Sequence, residues 1–323
     1  MILPSINFKN EVSKEPLSAV DKEPELCGLL LVDKQASITS HDLVARVRKI
    51  ASQKKVGHIG TLDPMATGLM GLLLGWATKL EPWLIKHDKV YLAKAQLGLI
   101  TDTLDITGQI LEQRPGPWPG YREMEQALKA MEGASEQRPP AFSAIKVNGR
   151  AAYKAARSGQ EVILALRKVE AYKLTLIDWR PPLVTLEARV SSGYYVRSLA
   201  RDLGQFLGLG GGALTSLRRL ALGPFDLSQS FRLEGNRAQL AQRLIEPRLA
   251  AAHLKEIYLD PPLARRLGQG QTILAPEGLE NGTYKIIGKG ETLLAIAEIS
   301  SPPLEAGRPR RPFLRPLRVF GLD

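Results

Sequence analysis

The sequence predicts a mixed α and β protein in two parts, a larger sheet-and-helix unit followed by a small β-barrel. Three observations lead there. Apolar residues alternate with period two over 89–98 and 184–190, as on half-buried strands, and recur at helical spacing over 43–50 and 124–131. From residue 258 onward the composition changes to short apolar runs separated by Gly and Pro turns. A length of 323 residues also exceeds what one core usually serves, so two domains are expected.

Composition narrows the partners. Hydrophobic residues make up 44% and charged residues 24%, as in ordinary globular proteins. Lys and Arg outnumber Asp and Glu by 44 to 33, and this excess points to a polyanion, nucleic acid first and an anionic membrane second. The single cysteine, Cys27, rules out an intrachain disulfide and fits a reducing compartment. His41, His58, His87 and His253 are too scattered for a metal site. The longest uncharged stretch, 64–78, is too short to span a bilayer, and the N-terminus lacks the basic-then-apolar order of a signal peptide. The expectation is a cytoplasmic protein, favoured as a monomer, with no metal, no cofactor and no membrane partner.

Along the chain, residues 1–25 carry mixed charge and three prolines without periodicity, a flexible leader. Residues 28–34 form an apolar run ending in charge, a buried strand that delivers Lys34 to an edge. Thr39 and Asp42 have capping-box spacing ahead of a helix whose inner face is Leu43, Val47 and Ile50 and whose outer face is basic. Next comes the stretch 57–80, in which Asp63 is the only acid between Ile50 and Glu81. Pro64 keeps Asp63 out of the helical region, while Gly57, Gly60 and Gly68 permit sharp bends, so an acid is displayed on a rigid turn before a buried strand.

The string Gly-His-Ile-Gly-Thr-Leu-Asp-Pro-Met-Ala-Thr-Gly over 57–68 resembles the signature of the TruB family, the bacterial tRNA pseudouridine-55 synthases. Lys34 at the end of Leu-Val-Asp-Lys, the loop Thr-Asp-Thr-Leu-Asp over 101–105, Tyr195-Val-Arg197 and Leu217-Arg-Arg219 extend the likeness. This chain departs from the usual family pattern at Gln35, Phe142 and Tyr194, and in the glycine-rich loop 208–212. The resemblance implies the pseudouridine-synthase fold, α+β with a mixed, mainly antiparallel sheet flanked by helices, over 26–253, and a PUA-like RNA-binding barrel over 258–323.

It also implies roles. Asp63 is the nucleophile, Tyr91 stacks on the target base and Arg197 pairs with Asp63. His58, Tyr195, Leu217 and Lys34 bind the substrate nucleotide, and Lys146, Arg150, Arg157 and Arg219 grip RNA, the first three in an insertion over 138–159. The partner is then tRNA through its T arm. Isomerising uridine breaks the N1–C1′ bond and joins C5 to C1′, so neither redox cofactor nor metal is demanded. The base must be flipped out, at a cost of a few kcal/mol. Attack at C6, attack at the ribose carbon and a glycal route all remain open to Asp63. Two other readings compete, a silent RNA-binding or tRNA-folding protein on the same scaffold and an aspartate-dependent hydrolase; the latter wants a second carboxylate or base to activate water.

Overall fold

The computed structural model describes residues 24–143, 146–147, 150–151, 164–301 and 311–320. The expected leader lies almost wholly outside them. In chain order the first part runs β1 (Gly28–Lys34), α1 (Ser40–Ala51), β2 (Val56–Ile59), β3 (Thr67–Leu74), α2 (Glu81–Leu84), β4 (Lys89–Leu97) and the hairpin β5 (Leu99–Thr101) and β6 (Ile110–Gln113). It continues with α3 (Tyr121–Ala130), β7 (Gly133–Gln137), a ribbon of β8 (Lys146–Val147) and β9 (Arg150–Ala151), β10 (Arg167–Arg180), β11 (Leu183–Val190), α4 (Val196–Phe206), β12 (Gly212–Leu222) and β13 (Phe225–Asp226).

Nine of these strands form one sheet in the order β1-β3-β12-β4-β11-β10-β7, with β2 added on β3 and β13 on β12. Only β3 and β12 run parallel; the other pairs are antiparallel. The sheet is therefore mixed and mainly antiparallel, as the family likeness implied. Period-two alternation puts Tyr91, Ala93, Ala95 and Leu97 of β4 on one face, where they pack with Leu186 and Ala188 of β11, Met124 and Leu128 of α3, and Leu199 and Leu203 of α4. A second cluster seats Leu43, Val44 and Val47 of α1 against Leu30, Val32, Met70 and Leu72. The start of α1 carries the expected capping box: Asp42 N donates to Thr39 Oγ1 at 3.0 Å, and Thr39 N donates to Asp42 Oδ2 at 2.8 Å. Such a cap contributes about 1 kcal/mol.

Some elements differ from the sequence reading. Apolar residues at 199, 203 and 206 follow helical spacing, yet Phe206 is 59% exposed because it is the last residue of α4, beyond the buried stripe. The 14-residue strand β10 shows no clean alternation, since irregularities between Ala171 and Lys173 and between Leu176 and Asp178 each reset its inward face. Between 231 and 253 the chain forms two short helices, α5 (Arg237–Gln242) and α6 (Pro247–Ala250), the second opened by a proline in its first turn. Close packing explains part of the glycine-rich loop: a Cβ on Gly204 of α4 would lie 1.9 Å from Gly211 O.

The C-terminal part comprises β14 (Lys255–Tyr258), α7 (Pro261–Gly268), β15 (Ile273–Leu274), β16 (Gly282–Ile287), β17 (Leu293–Ser300) and β18 (Phe313–Val319). Its five strands form a sheet in the order β14-β16-β17-β18-β15, over a core that includes Ile257, Leu267, Tyr284 and Ile286. Helix α7 was not legible, because Gly268 and Gly270 suggested only a turn. This part is not loosely tethered. Ile287, Leu293, Ile296 and Phe320 share one apolar cluster with Leu29, Leu31, Leu69 and Leu80, and the Trp76 and Phe320 rings lie 4.9 Å apart. Cutting the chain at 258 would strip that shared apolar surface, so charge changes on the C-terminal sheet test its role better than deletion.

Candidate active site

The turn between β2 and β3 presents Asp63, and side chains distant in sequence hold its backbone. The buried Ser40 hydroxyl accepts from Leu62 N at 2.9 Å and donates to Leu62 O at 3.0 Å. Ser37 N donates to Pro64 O at 2.9 Å, and Ala66 N closes the turn on Asp63 O at 3.0 Å. At Gly68, φ is +102° and a Cβ would sit 2.3 Å from Arg219 O, so β3 and β12 meet there only because the residue is glycine.

Lys34 corrects the sequence reading. It was expected at a sheet edge touching substrate, yet it is fully buried and its Nζ lies 2.6 Å from Ala66 O, 3.1 Å from Asp63 O, 3.2 Å from Pro64 O and 3.1 Å from Gln35 O. Its ammonium ties down the turn and is not offered to a ligand. Burial lowers its pKa to about 8, with Asp63 opposing part of that fall. Lys34→Met removes the donor and leaves carbonyls unpaired, so it is expected to cost about 2–4 kcal/mol of stability, read by denaturant unfolding.

The pH dependence of stability gives a second readout. In the unfolded chain a lysine titrates near about 10.4, so between pH 8 and 10 the unfolded state holds more protons at this site than the folded state does. The burial penalty is then full below pH 8 and is relieved as pH rises, so this lysine adds a positive slope of stability against pH in that window. Lys34→Met is expected to remove that increment, measured as the difference between wild-type and variant unfolding free energies from pH 8 to 10.

Arg197, in the first turn of α4, closes on the Asp63 carboxylate as a two-pronged fork. Nη2 donates to Oδ1 at 3.0 Å and Nε pairs with Oδ2 at 2.8 Å. The two side chains differ in exposure, 6% for Arg197 and 36% for Asp63, which leaves the carboxylate accessible while its partner is buried. The remaining guanidinium donors are also used: Nη1 donates to Thr103 O at 3.0 Å and Nη2 to Phe142 O at 2.9 Å. Behind them lies Asp105, its Oδ2 3.8 Å from Arg197 Nη1. The loop 101–108 is in part a structural turn, since Thr103 Oγ1, Thr107 N and Thr107 Oγ1 all donate to Asp105 Oδ1. Its second carboxylate beside Arg197 was missed.

Asp63 and Arg197 border a cleft of about 420 Å³ together with His58, Tyr91, Tyr195 and Leu217, a volume within the range of small-ligand pockets. Four elements converge there: β2 brings His58, β4 brings Tyr91, α4 brings Arg197 with Tyr195 at its N-cap, and β12 brings Leu217. Burial lowers the His58 pKa, favouring the neutral ring, and raises that of the Tyr195 hydroxyl. Buried His58 Nδ1 has no hydrogen-bond partner among the described residues.

Sequence reasoning did not single out Lys89. It borders the same cleft, is 7% exposed, and its Nζ donates to Ile85 O and His87 O at 2.6 Å each. Desolvation brings its pKa down to about 8, helped by the nearby Arg219 charge. The available signal was its place two residues before Tyr91, on the same strand face.

Arg219 is the second correction. Expected as a grip on RNA, it is 1% exposed and donates from Nε to Leu69 O at 2.6 Å and from Nη2 to Gly60 O at 3.4 Å. It borders the cleft from within and fixes the Gly60 bend. Lys146 and Arg150 fall in the β8–β9 ribbon, of which only the backbone is described, and Arg157 lies outside the described residues. Among the described residues no three of His, Cys, Asp and Glu converge as metal ligands would, and no helix is long and apolar enough to cross a membrane.

The model of the TruB family pseudouridylate synthase N-terminal domain matches residues 48–196, a span that holds Asp63 and Tyr91 and stops directly before Arg197. The tRNA pseudouridine synthase B of Thermobifida fusca is 40% identical over 279 residues, covering 84% of this chain and 94% of that protein. The chain belongs to the TruB family. A second member, tRNA pseudouridine synthase B of Geobacter sulfurreducens, is 41% identical over 278 residues, covering 84% of this chain and 90% of its own. Among solved structures, a chain of an H/ACA RNP bound to a substrate RNA containing 2'-deoxyuridine superposes with a TM-score of 0.69 at 22% identity, over 92% of this chain and 86% of that one. That likeness establishes the shared fold. The superposition covers both the first sheet and the C-terminal one.

Proposed function

We propose that this protein converts uridine 55 in the T loop of tRNA to pseudouridine, acting in the cytoplasm as a monomer without metal or cofactor. The observation that carries the reading is the Asp63–Arg197 fork, set at 2.8 and 3.0 Å in a cleft bordered, among the described residues, by no other acid. A guanidinium gripping both oxygens fixes the direction of the carboxylate in this partly exposed site. That is what a nucleophile toward a base or sugar carbon needs. The hydrolase reading wants a second group to activate water. Asp105 does not fill that role, because it sits behind Arg197, is 4% exposed and already accepts from Thr103 and Thr107.

The other cleft residues suit an extruded uridine. Tyr91 offers a ring face beside Leu217, which bounds the flipped base, and Tyr195 reaches its sugar or edge. A neutral His58 suits the place the base vacates. As N1–C1′ breaks and C5–C1′ forms, the C5 proton leaves and N1 takes one up, so no net oxidation occurs. Outside the cleft, the net charge of +11 supplies the attraction to tRNA. In this reading residues 26–253 carry the chemistry, 138–159 grip RNA, and 258–323 are a PUA-like module that holds the tRNA away from the reacting base.

Carbodiimide-stop mapping of an unmodified tRNA transcript tests the assignment. The expected result is one new stop, at position 55, that depends on the protein. Stops elsewhere and none at 55 would assign a different RNA site, and no stop at all would favour a silent RNA-binding protein.

A further inference from the structure

The fork on Asp63 is only as well placed as the segment that carries Arg197, and that segment has an unusual support. Tyr195 is the N-cap of α4 but makes no side-chain cap, so the helix start is not fixed by its own residues. The amide of Gln137 at the end of β7 does this instead. Tyr195 N donates to Gln137 Oε1 at 2.8 Å and Gln137 Nε2 donates back to Tyr195 O at 3.2 Å, so one side chain holds both polar groups of one residue. Gln137 is 4% exposed and comes from an edge strand 58 residues earlier.

The residues after Gln137 reinforce the same helix turn. Arg138 O accepts from Ser198 Oγ at 2.9 Å and from Arg201 Nη2 at 3.1 Å, and Phe142 O accepts from Arg197 itself at 2.9 Å. Every one of these bonds joins the stretch 137–142 to the first turns of α4. Tyr195 enters the cleft directly from this support, and Arg197 follows two residues later.

We propose that Gln137 is a positioning residue for the reaction: its amide sets the Tyr195 peptide, and through it the direction of the Arg197 guanidinium and of the Asp63 carboxylate. The inference rests on the function proposed above. Gln137 itself borders no part of the cleft and touches no reacting atom. Its effect therefore belongs in the rate of the chemical step and not in tRNA affinity. Misplacement of a catalytic group by a fraction of an ångström to an ångström slows a reaction by roughly tenfold to a hundredfold.

A double-mutant cycle separates this role from general support of the fold. Gln137→Met keeps the side-chain length and removes both hydrogen bonds to Tyr195, together with the amide's contact to the Asp202 carboxylate. Single-turnover pseudouridine formation is expected to slow about tenfold, with tRNA dissociation constants within about twofold of wild type. In an Arg197→Lys background, where the fork is already lost, the same substitution is expected to change the rate by less than about twofold, because the two residues act through one interaction. Gln137→Glu keeps the acceptor for Tyr195 N and loses the donor to Tyr195 O; it supplies the same cycle if the methionine variant does not melt cooperatively. A full wild-type rate in both variants would overturn the proposal. So would a tenfold loss that persists unchanged in the Arg197→Lys background, or weakened tRNA binding at an unchanged rate. A wild-type protein that makes no pseudouridine would overturn the functional reading, and this inference with it.

Discussion

Asp63→Asn is expected to lower pseudouridine formation by at least about a hundredfold, a loss of roughly 2.7 kcal/mol of transition-state stabilisation, while tRNA affinity stays within a few-fold. The substitution keeps the shape of the side chain and the turn around it, since Lys34, Ser37, Ser40 and Ala66 bond the backbone of the turn and not the carboxylate. What it removes is the charge, and among the described residues no other acid borders the cleft to replace it. An asparagine also turns one N–H pair toward the Arg197 donors, so one prong of the fork is lost in either amide orientation. Binding is expected to be preserved because the substitution leaves the basic residues of the chain unchanged. Turnover above about a hundredth of wild type, measured under single-turnover conditions, would contradict the role given to Asp63.

Arg197→Lys is expected to slow the chemical step about tenfold to a hundredfold and to cost about 1–3 kcal/mol of stability. Lysine preserves the positive charge but can serve only one carboxylate oxygen well, so the direction of the Asp63 anion is no longer fixed. The stability cost has its own cause: Thr103 O and Phe142 O lose the guanidinium donors that satisfy them next to a 6% exposed side chain. Rate and binding should separate, with tRNA affinity nearly unchanged. The reverse outcome, an unchanged single-turnover rate with weaker binding, would make Arg197 a phosphate ligand.

Much of the site was legible because its signals are local. Asp63 stood alone in an acid-free stretch between Gly and Pro, and the alternation of β4 put Tyr91 on the buried face. The pairing of Asp63 with Arg197 was another matter, for the two are 134 residues apart and only the family motif linked them. Lys34 misled because an apolar run ending in charge looks like a strand reaching water, whereas the residue near its end that is partly exposed is Asp33, which pairs with Arg218 at 2.8 Å. Arg219 was misjudged for a related reason. It lies two residues after Leu217 on the same strand, so the alternation that put Leu217 in the cleft also put Arg219 there and left Arg218 outward.

Other supports had no pattern to read. Ser40 and Gln137 bond backbone atoms of distant segments, and Lys89 bonds those of the turn just before its own strand; such bonds leave no periodicity, only a polar residue where an apolar one was possible. The large sheet was legible strand by strand but not in its order, because β12 inserts between β3 and β4 after more than a hundred intervening residues. The C-terminal helix α7 was hidden by flanking Pro and Gly, and its buried residues, Ala264 and Leu267, are too few to show a helical stripe.

Release of tritium from tRNA transcribed with uridine labelled at C5 tests the central claim most directly, because joining C5 to the ribose expels that hydrogen whichever route Asp63 takes. Wild-type protein is expected to release one equivalent per tRNA, none from a transcript carrying cytidine at position 55, and the Asp63→Asn protein none from either on the same timescale. Release at the wild-type rate by Asp63→Asn, or none by the wild-type protein on a folded tRNA that it binds, would contradict it.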